Sequence, residues 1–107
     1  MGISGFIDLG KIMERNETKY TLEKLIGHLS ALEDHIRDWE CQDCLIKHKS
    51  AVGVYFDELL NYINTEEVKK LKEEFMLLDL IQSDEVINQV RNIRKVLIQV
   101  YIQQEFK

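Results

Sequence analysis

Both cysteines and all three histidines of this 107-residue chain fall between His28 and His48. Thiolate and imidazole are ligands for transition metals, and closely spaced thiols also exchange with disulfides, so one window carries two chemistries. Cys41 and Cys44 stand three apart and His48 follows four after Cys44, a spacing that puts three donors on one face of a helix. His28 and His35 are seven apart, two turns on one face of the helix before it.

Axial position selects among the histidines. With a turn near residue 40 and about 1.5 Å of rise per residue, His35 lies roughly 7 Å below the tip, Cys44 roughly 6 Å, His48 roughly 12 Å and His28 roughly 18 Å. Helical side chains lean toward their own N-terminus, which carries His35 and His48 toward one another and His28 away. The expected ligand set is therefore His35, Cys41, Cys44 and His48, tetrahedral, with zinc as the default ion and another transition metal as the alternative. His28 is left as the partner of a ligand, an exchange ligand or an ordinary buried histidine. A shell closed by four protein ligands suits a structural ion, because a catalytic zinc keeps one position for water.

Among the acids of the same stretch, Asp38 or Asp34 is expected to hold a ligand histidine's second nitrogen. Glu33, Glu40 and Asp43 read as a solvated face. A carboxylate-bridged di-iron centre is excluded, since it needs glutamate three residues before histidine, and leucine stands there each time.

The elements that must position these groups are helices. The chain is 45% hydrophobic and 31% charged with no proline and only five glycines, too apolar for disorder and too poor in turn-formers for an all-β fold. Leu22, Leu25, Ile26, Leu29, Leu32 and Ile36 repeat at three and four, which predicts a first helix over 18–38. A break at 39–42 leads to a second over 43–63 with an inner stripe of Cys44, His48, Ala51, Val52, Tyr55, Leu59 and Ile63. Asn64 or Thr65 caps a third over 66–81, carrying Val68, Leu71, Phe75 and Leu78. Ser83-Asp84-Glu85 opens a fourth that runs almost to the end on the seam Val86, Val90, Ile93, Leu97 and Val100. Residues 1–17, diluted by Gly2, Gly5 and Gly10, form a short helix or fray, and 18–107 form one domain. Short connections make successive helices antiparallel, giving an all-α, four-helix up-and-down bundle whose first hairpin is clamped by metal.

The formal charge of −5 argues against a nucleic-acid face. The basic clusters at Lys69, Lys70 and Lys72 and at Arg91, Arg94 and Lys95 read as solvated faces of mixed sign. With no apolar run of membrane-spanning length and no leader pattern, a cytoplasmic protein is expected. There is no glycine-rich phosphate loop and no serine nucleophile elbow.

The run "HLSALEDHIRDWECQDCLIKH" resembles a pattern in small uncharacterised helical proteins of prokaryotes and their viruses, matched here at His28, Glu33, His35, Cys41, Cys44, Lys47 and His48. That resemblance implies a metal and no particular activity. Separately, "CQDCLIKH" is similar to the active site of the carboxymuconolactone decarboxylase and alkylhydroperoxidase-D superfamily, an all-α fold. This second likeness implies peroxide attack by Cys44, resolution by Cys41, His48 as base and Glu33 or Glu40 as acid. The Gly-Ala-Ser-rich turn expected after that histidine is absent.

The sequence thus reads as a small zinc-binding module for binding or assembly, self-associating as a dimer through the broad apolar arc of the fourth helix. The alternatives are a dithiol oxidoreductase and a metal carrier or sensor.

Overall fold

The computed structural model describes residues 9–104, with side chains from position 16 onward. Four helices occupy them: α1 (Leu9–Asp38), α2 (Gln42–Leu60), α3 (Glu66–Met76) and α4 (Asp84–Gln103), with no strand among the described residues. The protein is an all-α bundle. The segment 1–17 lies partly outside the described residues; from Leu9 it is helix, continuous with the helix read from position 18.

α1 is the spine. Its stripe of Leu22, Leu25, Leu29, Leu32 and Ile36 is wholly buried and packs on α2 along one side and α4 along the other. Polar contacts fix the direction of each pairing. Glu17 and Tyr62 meet at one end of the α1/α2 pair while His35 and His48 meet near the turn, so these helices run antiparallel. Likewise Gln82 donates to the Arg37 carbonyl at 3.1 Å and Tyr101 to Glu23 at 2.9 Å, which sets α4 antiparallel to α1. Asp57 with Lys72, and Lys49 donating to the Leu78 carbonyl at 3.3 Å, do the same for α2 and α3.

Local signals explain where helices begin. Cys41, Thr65 and Ser83 occupy the N-cap positions of α2, α3 and α4, each in extended backbone with its side chain accepting an orphan N–H of the first turn. Thr65→Ala is expected to cost about 1 kcal/mol through loss of the bond from Val68 N–H, read as a lower urea midpoint with unchanged slope.

Helix ends depart from the periodic reading. α2 stops at Leu60 rather than 63, and α3 at Met76 rather than 81. Beyond α3 the chain opens out, and both Leu78 and Leu80 reach the core. Residues two apart cannot share a helix face but can do so in an irregular strand of chain, so burial of that pair competes with continued helix. At the end of α1, Trp39 takes φ 55°, the left-handed conformation usual for glycine, and its N–H donates to the His35 carbonyl at 2.8 Å. The conformation costs roughly 1–2 kcal/mol; packing of the indole against the core offsets it.

The seam read on α4 is its buried face, and Ile87 joins it. Much of that helix's wide apolar arc is thus accounted for inside the chain. On α2 Val52 and Leu59 are buried as the stripe predicts, but the face is rotated: Leu45 and Phe56 complete the core side, while Cys44, His48, Ala51 and Tyr55 are half-buried along its edge. Leu45 and Phe56 bury more apolar area than the residues they displace from the interior.

Candidate functional site

The edge of α2 that the core leaves half-covered is where the chemistry gathers. Indices of residues meeting across the α1/α2 hairpin place His48 opposite the gap between His28 and His35, so its ring inserts between theirs. Ring centroids of His48 and His28 lie 5.1 Å apart, and those of His48 and His35 5.2 Å apart with nearly parallel planes. Tyr55 extends the row, stacking on His28 at 5.6 Å. The Nδ1 atoms of His28 and His48 are 2.9 Å apart, so one donates and the other accepts.

The three imidazoles therefore form a row, not a triangle. His28 does not lean out of reach as the axial argument required. His48 stands about midway in axial height between His35 and His28, and the lean of the side chains is too small to take it out of reach of either. The second nitrogen for which Asp38 or Asp34 was expected is instead engaged, on His48, by His28. Asp34 pairs with Arg37 at 3.1 Å on the surface, and Asp38 is exposed.

Cys41 and Cys44 are joined in a disulfide, with Cα atoms 5.2 Å apart. Both are half-buried at the mouth of α2, where Cys41 Sγ accepts the Cys44 N–H at 3.1 Å. A sulfur at a helix N-terminus receives N–H groups and the positive end of the helix dipole, both of which favour thiolate. That environment belongs to Cys41, whereas the superfamily likeness assigns the attack to Cys44.

Among the described residues, no three His, Cys, Asp or Glu side chains are arranged to hold a metal ion in this disulfide-bonded state. The residue types still suit one. On reduction, Cys41 and Cys44 would supply two thiolate donors three residues apart at the mouth of α2, a donor type that suits zinc. His48 then lies one turn along the same face as Cys44, and in the tautomer whose Nδ1–H donates to His28 its Nε2 carries the lone pair that a metal would take.

Burial holds the His48 imidazole below the usual range, and the neighbouring His28 and His35 add to the lowering. Between that depressed value and the ordinary value near 6.5, the unfolded chain binds more protons than the folded one. Stability attributable to His48 is thus complete above about pH 6.5 and is lost as pH falls through the folded value. Metal-free protein should show a falling urea midpoint from pH 7.5 to 5.5, and His48→Gln should flatten that slope.

One carboxylate of the expected solvated face, Glu33, is buried. Glu33 is 4% exposed and faces away from the histidine row, accepting from Arg91 Nε at 2.9 Å and from Arg94 through Nε and Nη2. It is committed to α4, so the proton-relay role that the superfamily likeness gives it has no support in its contacts; Glu40 is exposed. A signal was present, in a glutamate adjoining the apolar positions 32 and 36 and two arginines three apart beside the α4 seam.

No described helix is long and apolar enough to cross a membrane. Comparison with known protein families, with curated proteins and with solved structures finds no match.

Proposed function

We propose that the protein is a small metal-binding module whose zinc-type site forms in the dithiol state from His35, Cys41, Cys44 and His48, clamping the α1/α2 hairpin for a binding or assembly role. The observation that carries this reading is the histidine row. Side chains from two helices, twenty residues apart in sequence at His28 and His48, meet ring to ring one helical turn along α2 from Cys44. His28 belongs to the site as the group that holds His48 Nδ1.

A metal tie would do what the disulfide cannot. Cys41 and Cys44 both belong to the mouth of α2, so their bond closes a loop of a few residues and contributes at most about 2 kcal/mol by loop entropy. An ion shared with His35 joins α1 to α2, and such sites contribute on the order of 10 kcal/mol. Native mass spectrometry of reduced protein, before and after chelator, should show about one zinc per chain. Cys44→Ser and His48→Ala should lose both the ion and several degrees of melting temperature. Reduced protein that stays metal-free in excess zinc, at full stability, would refute the reading.

The Cys41–Cys44 disulfide favours a second reading, thiol–disulfide exchange. Beside the first turn of α2 a groove of about 330 Å³ opens between Trp39, Gln42, Leu45, Ile46, Lys49 and Leu80, room for a small peroxide or an apolar side chain of a protein substrate. Turnover of a hydroperoxide with thiol reductant, abolished by Cys41→Ser, would establish it.

Assembly through α4 is the remaining part of the proposal. Half-buried Ile98 and exposed Ile102 are the apolar residues of α4 left for a second copy of the chain. Sedimentation velocity should give a dimer that Ile102→Glu returns to monomer.

A further inference from the structure

We infer that the Cys41–Cys44 disulfide is the released state of the metal site, so that oxidation of this pair ejects the ion and severs the tie between α1 and α2. The inference rests on the metal-binding reading above and adds to it a regulation by thiol redox state. Three features of the fold carry it. The same two sulfurs serve both states, and a disulfide sulfur is not a thiolate donor, so the states exclude one another. Both sulfurs are half-buried, between exposed Glu40, Gln42 and Asp43, which leaves them open to a small oxidant. The bond spans only the N-cap and first turn of α2, and the Cys44 N–H that Cys41 Sγ accepts in the disulfide is one a thiolate accepts as well. Interconversion therefore leaves α2 intact and changes only what links it to α1.

The chemistry balances with a hydroperoxide as oxidant. One thiolate attacks the peroxide oxygen, forming a sulfenic acid and expelling alkoxide, which takes up a proton. The second thiolate attacks the sulfenic sulfur, forming the S–S bond and releasing hydroxide, which is protonated to water. Two thiolates, one hydroperoxide and two protons give one disulfide, one alcohol and one water, with two electrons passing from sulfur to oxygen. The zinc ion, left with imidazoles alone, is released unchanged in charge. Rebinding requires two electrons from a dithiol.

His28 and His48 take no part in electron transfer. In the disulfide state His48 lies 2.9 Å from His28 through Nδ1 and 5.2 Å, ring to ring, from His35, so the imidazole half of the site is assembled while the sulfur half is closed. Reloading then needs only reduction, with no refolding step.

The experiment uses the full chain, reduced and loaded with zinc, in the presence of a chromogenic zinc indicator. One equivalent of hydrogen peroxide should release one equivalent of zinc in step with the loss of two titratable thiols, with circular dichroism unchanged. Dithiothreitol should restore binding. The melting temperature should fall by several degrees on oxidation and recover on reduction. Cys41→Ser, which retains one thiol, should give no dithiol-dependent rebinding. Thiols that never pair while zinc stays bound would overturn the inference and leave the metal-binding reading standing; zinc that stays bound after the disulfide has formed would overturn the inference and the proposed ligand set together. Reduced chain that never takes up zinc would overturn both.

Discussion

Glu33→Ala should lower the stability of the fold by about 3 kcal/mol, far more than any other single carboxylate change in the described part of the chain. Glu33 is 4% exposed and is the counter-charge for Arg91 and Arg94, both of which reach it from α4. Truncating it strands two guanidinium groups against apolar surface. Breaking a buried pair costs on the order of 3–5 kcal/mol, and the low end applies because the arginine side chains retain 36% and 25% of their exposure and regain some water. Asp34→Ala is the control: its pair with Arg37 is exposed, so the change should stay within about 0.5 kcal/mol. Urea unfolding of both variants checks the contrast, and a Glu33→Ala loss no larger than that of Asp34→Ala would show that the triad does not hold α4 to α1.

Phe56→Ala should cost about 4 kcal/mol. The ring is fully buried on the core face of α2 and meets Phe75 of α3 at a centroid distance of 6.2 Å, tilted by 41°. Removing it leaves a cavity between two helices and deletes a tilted aromatic pair, and α3 has little else to hold it: three residues of that short helix are buried. The loss should appear first as weakened hydrogen-exchange protection in α3. Leu77→Ala, at a residue 86% exposed directly after that helix, should change stability by less than about 0.5 kcal/mol.

Much of this was legible in the sequence, and the failures have common causes. Three-four spacing of leucines identifies α1, and the seam of α4 is its buried face, because a single dominant apolar stripe has only one way to hide from water. α2 is harder. It has to serve both α1 and α3, so its apolar surface is wider than one stripe: Val52 and Leu59 are interior as read, but the choice between Cys44/His48/Tyr55 and Leu45/Phe56 beside them is made by neighbours that the local pattern does not contain. Capping chemistry at Thr65 and Ser83 is local and readable. The open chain after Met76 is not, because Leu78 and Leu80 are placed by the core they reach.

The site divides in the same way. That Cys41, Cys44, His35 and His48 belong to one hairpin follows from spacing alone. The place of His28 does not, since it depends on the stagger of two helices to within one turn. Glu33 was assigned to solvent for want of its partners, which lie far along the chain at Arg91 and Arg94. The spacing marks each partner as bordering an apolar stripe, but nothing local to either helix says that the two borders meet.

X-ray absorption at the zinc edge on reduced, zinc-loaded protein tests most directly whether sulfur and imidazole share an ion. Two sulfurs at about 2.3 Å and two imidazole nitrogens at about 2.0 Å are predicted, with the sulfur scattering lost in Cys44→Ser. A shell of nitrogen and oxygen alone, or a spectrum indifferent to that substitution, would contradict it.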